Sequence, residues 1–429
     1  MADIADFLDF IKQATSPYHT ADITAQRLQA AGFRELPLTQ PWDVKIGDAV
    51  FVRGFDTSIF AFTLGEEMPT GDPRALRLAA AHTDFPGFRV KPIADRKDNG
   101  CLRLNVEAYG GLINESWLDR PLSLAGMVTC KSDDALAPRC QLIDFRRPVL
   151  LMPRLAIHMN RKANEGQALN RQDEMQPIAS LLDGHEGDTF LQFLAEYLHV
   201  DAKNILSYDL NVYAQEHGEA VGLRSDFLLA PRLDNLTSAY ACLVACMATK
   251  GKGDGIHAMA LFDNEEVGNQ TKQGAGSLLF LQVMKRLYKA LGRDTESLFR
   301  DAAAGLMLSV DAAHGLHPNY AQKADPTNRP LLGKGVVLKR AASQSYVNDP
   351  VAVAAVRAIA DKAQIPVQEF ANRSDMRGGG TLGSALSTSL PMRALDIGVP
   401  LWAMHSARET MGTQDEESLW QLIEAFYKT

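Results

Sequence analysis

Five places along this chain end an apolar run on a carboxylate or an imidazole: Ala81-His82-Thr83-Asp84, Leu233-Asp234-Asn235, Asp263-Asn264-Glu265-Glu266, Val310-Asp311 and Met404-His405. In the third, the run Ala258-Met259-Ala260-Leu261-Phe262 stops abruptly at two neighbouring acids and then Gly268. A buried strand reads this way when it delivers acids to the rim of a sheet. Adjacent glutamates in a partly desolvated place raise one another's pKa, and a cation resolves the conflict if one ligates while the other carries a proton. His82 has Asp84 two residues on, placed to take its second ring nitrogen as carboxylates commonly do for ligand histidines. Each feature alone has a plain structural explanation: a solvated turn, a turn histidine, a helix N-cap for Asp234. Their number, all near the carboxyl ends of strands where α/β sheets build sites, argues for one centre. Carboxylates with two histidines suit zinc or manganese and not a thiolate structural site. Three carboxylate ligands and two histidines fit two cations better than one if a single acid bridges them. A pair about 3.5–4 Å apart points to hydrolysis. One glutamate is then left over to accept a proton.

The elements that must position these groups follow from periodicity. Helices are expected over 4–14, 23–31, 239–249, 277–288, 351–363 and 416–427. Strands are expected over 49–53, 58–64, 76–82, 258–262, 305–310, 335–340, 367–370, 394–397 and 401–404. Between about Val90 and Ala230 the texture changes. Leu102, Leu104, Val106 and Ala108 alternate with polar residues, turn signals recur at Gly110-Gly111, Asp133-Asp134 and Asp183-Gly184, and 209–214 and 227–230 read as further strands. Only 189–198 is helical in pattern there. The chain therefore divides into an α/β part, 1–90 with 231–429, and a mostly β insert, 91–230. No metal-ligand cluster is apparent in the insert, and its His158 reads as a core or interface histidine. Lys339, in a small polar context, reads as exposed. Gly378, Gly380 and Gly383 match G-x-G-x-x-G, but a polar stretch separates them from the preceding strand and no βαβ unit is apparent, so no dinucleotide site is expected.

At 429 residues, two domains are the sensible expectation. Hydrophobic content of 46% with 22% charged residues allows a sizeable core, and a formal net charge of −8 argues against nucleic acid as a partner. It does not argue against an acidic substrate, because a cleft can oppose the global sign. Five cysteines without a Cys-x-x-Cys pair suggest a reducing compartment. The start is acidic and no apolar run approaches the ~18 residues of a membrane span, so a cytoplasmic protein without membrane partners is expected.

The five strand-end motifs, with His314 and His317-Pro318-Asn319-Tyr320, closely resemble those of the M18 metallo-aminopeptidases, the aspartyl aminopeptidases, over essentially the whole length. The resemblance implies a mixed-sheet, zinc-exopeptidase-like α/β catalytic domain interrupted by a β-rich dimerisation domain. It implies two divalent cations per chain, zinc first, with manganese or cobalt as alternatives. Asp234 would bridge them, His82 and Asp311 would complete one site, Glu266 and His405 the other, and Glu265 would be the general base. His158, His314, Lys339 and Tyr346 match substrate-contact positions, the lysine facing an acidic side chain. The substrates would be peptides, preferably with N-terminal Asp or Glu, and the assembly a homo-oligomer of dimers forming a tetrahedral dodecamer. Neutral or broad specificity, or a catalytically silent peptide-binding or assembly protein, are the alternatives. One departure stands out: where a Cys-Gly-Ser-Thr-like run is expected after Met376, this chain has Arg377-Gly378-Gly379-Gly380-Thr381.

Overall fold

The structure is a computed structural model that describes residues 4–166 and 168–429. It divides into two compact units. One comprises the residues up to Phe85, Gly218–Met404 and Glu409–Thr429; the other comprises Pro86–His217 with His405–Arg408.

The first unit is built on a nine-stranded mixed sheet. Its centre is parallel: Ile256–Phe262 beside Leu76–His82, then Leu306–Val310, then Arg393–Gly398. Ser58–Leu64 runs antiparallel to Ile256–Phe262 on one side, and Val336–Arg340 runs antiparallel to Arg393–Gly398 on the other. Alternation explains why these strands are apolar throughout. Met259 and Leu261 enter one hydrophobic cluster, while Ala258, Ala260 and Phe262 enter the opposite one. The first cluster is roofed by helices Ile4–Gln13, Pro17–Ala30, Leu233–Ala248, Pro350–Ala363 and Asp415–Lys428. The second is roofed by Leu279–Ala290, Thr295–Ala304 and Leu382–Ser389. Register then matters for the chemistry. Phe262 pairs with His82 and Ser309 with Ala80, so the acids that follow each strand emerge at one level of the sheet.

A separate five-stranded sheet in this unit runs Glu219–Val221, Phe227–Ala230, Glu409–Gly412, Pro400–Trp402, Ala313–His314. Phe227–Ala230 was expected in the insert; it belongs here, because its partner is Glu409–Gly412, far along the chain. A four-residue strand carries too little sequence to declare which sheet it will join.

The second unit is a six-stranded antiparallel sheet in the order Arg139–Asp144, Leu122–Cys130, Ile205–Ala214, Gly87–Asp98, Cys101–Tyr109, Ile178–Leu181. Helix Phe190–Leu198 starts at a Thr189–Gln192 capping box and packs its apolar face into a core with Phe88, Trp117 and Leu210.

Several elements exceed the sequence expectation. The second helix begins at Pro17, with Ser16 accepting from His19 N, well before Ile23. Helices Thr295–Ala304 and Leu382–Ser389 and strand Glu409–Gly412 were not anticipated.

Candidate metal centre

His82 closes its strand with the imidazole buried. Its Nδ1 lies 3.2 Å from Asp84 Oδ1 and 3.0 Å from the Asp84 carbonyl oxygen. Carbonyl oxygens only accept, so Nδ1 carries the proton, and in the neutral ring Nε2 keeps its lone pair. Nε2 faces Asp234 Oδ1 at 3.6 Å and Asp311 Oδ1 at 3.8 Å. One ligand atom from each of His82, Asp234 and Asp311 falls within 4.8 Å of the others, and the same holds for His82, Glu265 and Glu266.

Each acid reaches this place by a specific local device. Asp311 is the first residue after Leu306–Val310. Asp234 enters the helix Leu233–Ala248 through a non-helical turn, its backbone N–H donating to Glu409 Oε2 at 2.9 Å, and Ala230 pairs with Glu409 in the five-stranded sheet. Asn235 Nδ2 donates to the Val310 carbonyl at 3.0 Å, which ties this turn to the strand that presents Asp311. The two glutamates are held by Asp84, whose Oδ1 accepts from Glu265 N and whose Oδ2 accepts from Glu266 N, both at 3.1 Å. Asp84 thus orients a histidine and two acids at once.

The other expected residues are placed as follows. Lys339 is buried, where an exposed lysine was expected; its Nζ donates to the Ala312 carbonyl at 2.9 Å and lies 3.8 Å from Asp311 Oδ2 and 5.1 Å from the centre of the Tyr346 ring. Tyr346 is buried as well. His314 is exposed on its two-residue strand, its ring 5.9 Å from that of Phe370. In the second unit, His405 sets Nδ1 2.7 Å from the Gly111 carbonyl oxygen, which again fixes Nε2 as the lone-pair nitrogen. His158, also in that unit, was expected in a core or at an interface; it lies in an exposed turn and not in this chain's core, and Leu155, Ile157 and Met159 around it are exposed too. Glu409, which anchors the Asp234 backbone, escaped the sequence reading, and nothing in Ala407-Arg408-Glu409 marks it.

The electrostatics ask for cations. Asp84, Asp234, Asp311, Glu265 and Glu266 face one imidazole and one ammonium. Burial drives the Glu265 carboxyl up to about 8, opposed by His82 and reinforced by Asp311, Asp84 and Asp234. Burial would lower the His82 pKa, yet the Asp311 and Asp84 carboxylates hold it well above the ordinary imidazole value. Burial opposes the Lys339 charge, and Asp311 and Asp396 outweigh that and raise it. A donor set of imidazole nitrogen and carboxylate oxygen with surplus negative charge fits divalent cations such as zinc or manganese.

Over residues 10–427 the chain matches the family described as aminopeptidase I zinc metalloprotease (M18). A Clostridium novyi (strain NT) protein named probable M18 family aminopeptidase 2 is 40% identical over 425 residues, 98% of each chain. Among solved structures, Ape4 in its complex with Nbr1 is similar at 31% identity and a TM-score of 0.94, covering 99% of this chain and 85% of that one. The mApe1 dodecamer of S. cerevisiae shares the fold at 24% identity and a TM-score of 0.85, covering 99% of this chain and 96% of that one.

Proposed function

This chain belongs to the M18 family of metallo-aminopeptidases, and on that premise we propose that it is a dinuclear-metal exopeptidase removing N-terminal residues, preferably Asp or Glu. The observation that carries the reading is the shared grip of Asp84 on His82 and on the backbone of Glu265 and Glu266, beside Asp234 and Asp311. A carboxylate so used leaves the glutamate side chains for ligation and proton transfer. In this reading His82, Asp234 and Asp311 hold one cation, and Asp234, Glu266 and His405 hold the other. Zinc is the first choice, with manganese or cobalt as alternatives.

Two such ions would supply Lewis-acid polarisation of the scissile carbonyl and acidify the attacking water. The chain's own groups do the rest. Asp84 fixes the Glu265 backbone, so the carboxylate swings only about its side-chain torsions. Glu265 takes the proton from the attacking water and later delivers it to the leaving amine. His314 helps hold the developing oxyanion.

A homo-oligomer, with the β-rich second unit as its dimerisation domain and His158 reaching a neighbouring subunit's substrate, is part of the same proposal, supported by the dodecameric S. cerevisiae relative. So is a cytoplasmic location, supported by five cysteines that form no disulfide among the described residues. No helix among them is long and apolar enough to cross a membrane.

The test is a panel of aminoacyl-anilides with the zinc-loaded protein. Asp and Glu substrates should lead. If Leu or Ala substrates beat them by about tenfold in kcat/KM, neutral or broad specificity replaces the acidic preference. No turnover of any substrate would leave the silent peptide-binding alternative.

A further inference from the structure

Lys339, the lysine that the resemblance turns toward an acidic side chain, sits against the acids of the centre. Its ammonium is buried, donates to the Ala312 carbonyl and already faces Asp311. A second cationic feature stands nearby. His314 and Phe370, in ring contact, also line a cavity of about 290 Å³ whose lining includes His317, Tyr320, Lys323 and Arg377. Phe370 pairs with Lys339 in the sheet register and its ring lies 6.2 Å from that of Tyr346, tilted by 59°, so this cavity shares a wall with the Lys339–Tyr346 region.

The charges on that cavity differ in what they are free to do. Arg373 lines it, but its guanidinium is committed to Asp375 at 2.6 and 3.1 Å and to the Gln322 carbonyl at 2.6 Å. Asp325, the acid on the lining, accepts from Thr327 N at 3.0 Å and from Asn328 N and Nδ2 at 2.8 Å. Arg377 and Lys323 are exposed; among the described residues the Arg377 side chain makes no hydrogen bond or ion pair, and Lys323 makes none either but has Asp375 as an electrostatic neighbour. Arg377 lines the cavity beside Gly378, where a Cβ would come within 2.4 Å of Asn372 Nδ2. The Arg377–Gly380 run is also where this chain departs from the family resemblance.

We propose that Arg377, with Lys323, forms a carboxylate-accepting subsite on this cavity that grips an acidic group of the peptide substrate. A guanidinium offers two parallel N–H donors to a carboxylate, and an ammonium from a separate segment adds a second charge. The proposal rests on the aminopeptidase reading above. The carboxylate belongs either to the side chain of the N-terminal residue or to the residue after the scissile bond.

Two substrate pairs separate these sources: Glu-anilide against Gln-anilide, and Leu-Ala against Leu-Ala-amide. They are assayed with metal-loaded wild type, Arg377→Glu, Arg377→Lys and Lys323→Glu, each checked for unchanged thermal unfolding. In one pair, the carboxylate-to-amide ratio of kcat/KM should fall about tenfold or more in Arg377→Glu, chiefly through KM. Arg377→Lys should recover part of it, and Lys323→Glu should move the same ratio by less. The pair that moves names the source. Ratios within about twofold of wild type in both pairs, for Arg377→Glu and Lys323→Glu alike, would overturn the subsite. A wild type that turns over none of the four substrates would sink the aminopeptidase reading itself, and the subsite with it.

Discussion

Glu265-Glu266 follows the strand Ile256–Phe262, and Asp415-Glu416 opens the helix Asp415–Lys428; each is a pair of neighbouring carboxylates, the first half-buried and the second buried. Around Asp415 the chain supplies neutral donors: Gly333 N at 2.7 Å and Gly335 N at 2.9 Å. Burial pushes the Asp415 carboxyl up to about 6 against the pull of those N–H groups. Glu416 is buried beside it with both oxygens lacking a hydrogen-bond partner among the described residues, and burial raises its pKa well above the ordinary value. Around Glu265 the chain supplies more acids. An isolated buried acid is neutralised by taking up a proton, whereas a convergence of acids and imidazoles is neutralised by a metal. The pair of residues does not distinguish the two cases; the company it keeps does.

The comparison can be broken by exchanging protonation-dead isosteres between the regions. Glu265→Gln should lower kcat by about 10²–10⁴-fold while metal content stays near wild type, and Glu416→Gln should leave kcat within about twofold. Equal losses at both sites, measured under saturating substrate, would erase the distinction. Asp84→Asn should act next most strongly, because an amide cannot accept from both glutamate N–H groups and His82 at once. Metal affinity, measured by competition with a chelator, should weaken by about 10–100-fold. An affinity unchanged within about twofold would demote Asp84 to a bystander.

The smallest effect is on stability. Glu416 has a folded pKa raised above its unfolded value, so its contribution to stability is fully present below the unfolded value of 4.5 and is lost as pH rises. Asp415 adds a similar loss between its unfolded value of 3.8 and about 6. Glu416→Gln should therefore match wild type in thermal unfolding near about pH 4 and exceed it by roughly 1–3 kcal/mol near about pH 8. A stability gap that does not change with pH would show that Glu416 does not enter the folded state as a neutral acid.

Much of the frame was legible because strands buried on both faces are apolar throughout and stop sharply. Leu76–His82, Ile256–Phe262 and Leu306–Val310 are of this kind, and each ends on or beside a group of the centre. What escaped lacked a local signature. Leu382–Ser389 is rich in Ser, Thr and Gly, weak helix formers, and is held by the burial of Leu382 and Leu386. Thr295–Ala304 buries only Leu298, Asp301 and Ala302, though its Asp294 cap was a signal available in the sequence. Lys339 was misjudged because a lysine usually snorkels to water. Here a neighbouring carbonyl and carboxylate replace that water, and both belong to residues near position 311, distant in sequence. The double grip of Asp84 is likewise a fact of register between two strands, which no single stretch of chain records.

The most direct measurement counts metal in the purified protein after equilibrium dialysis against zinc, for wild type and Asp234→Asn side by side. Wild type should hold about two ions per chain and the variant no more than about one, with peptide hydrolysis lost in step. A wild type that binds none, or an Asp234→Asn chain that keeps both ions and its activity, would contradict the shared-carboxylate centre.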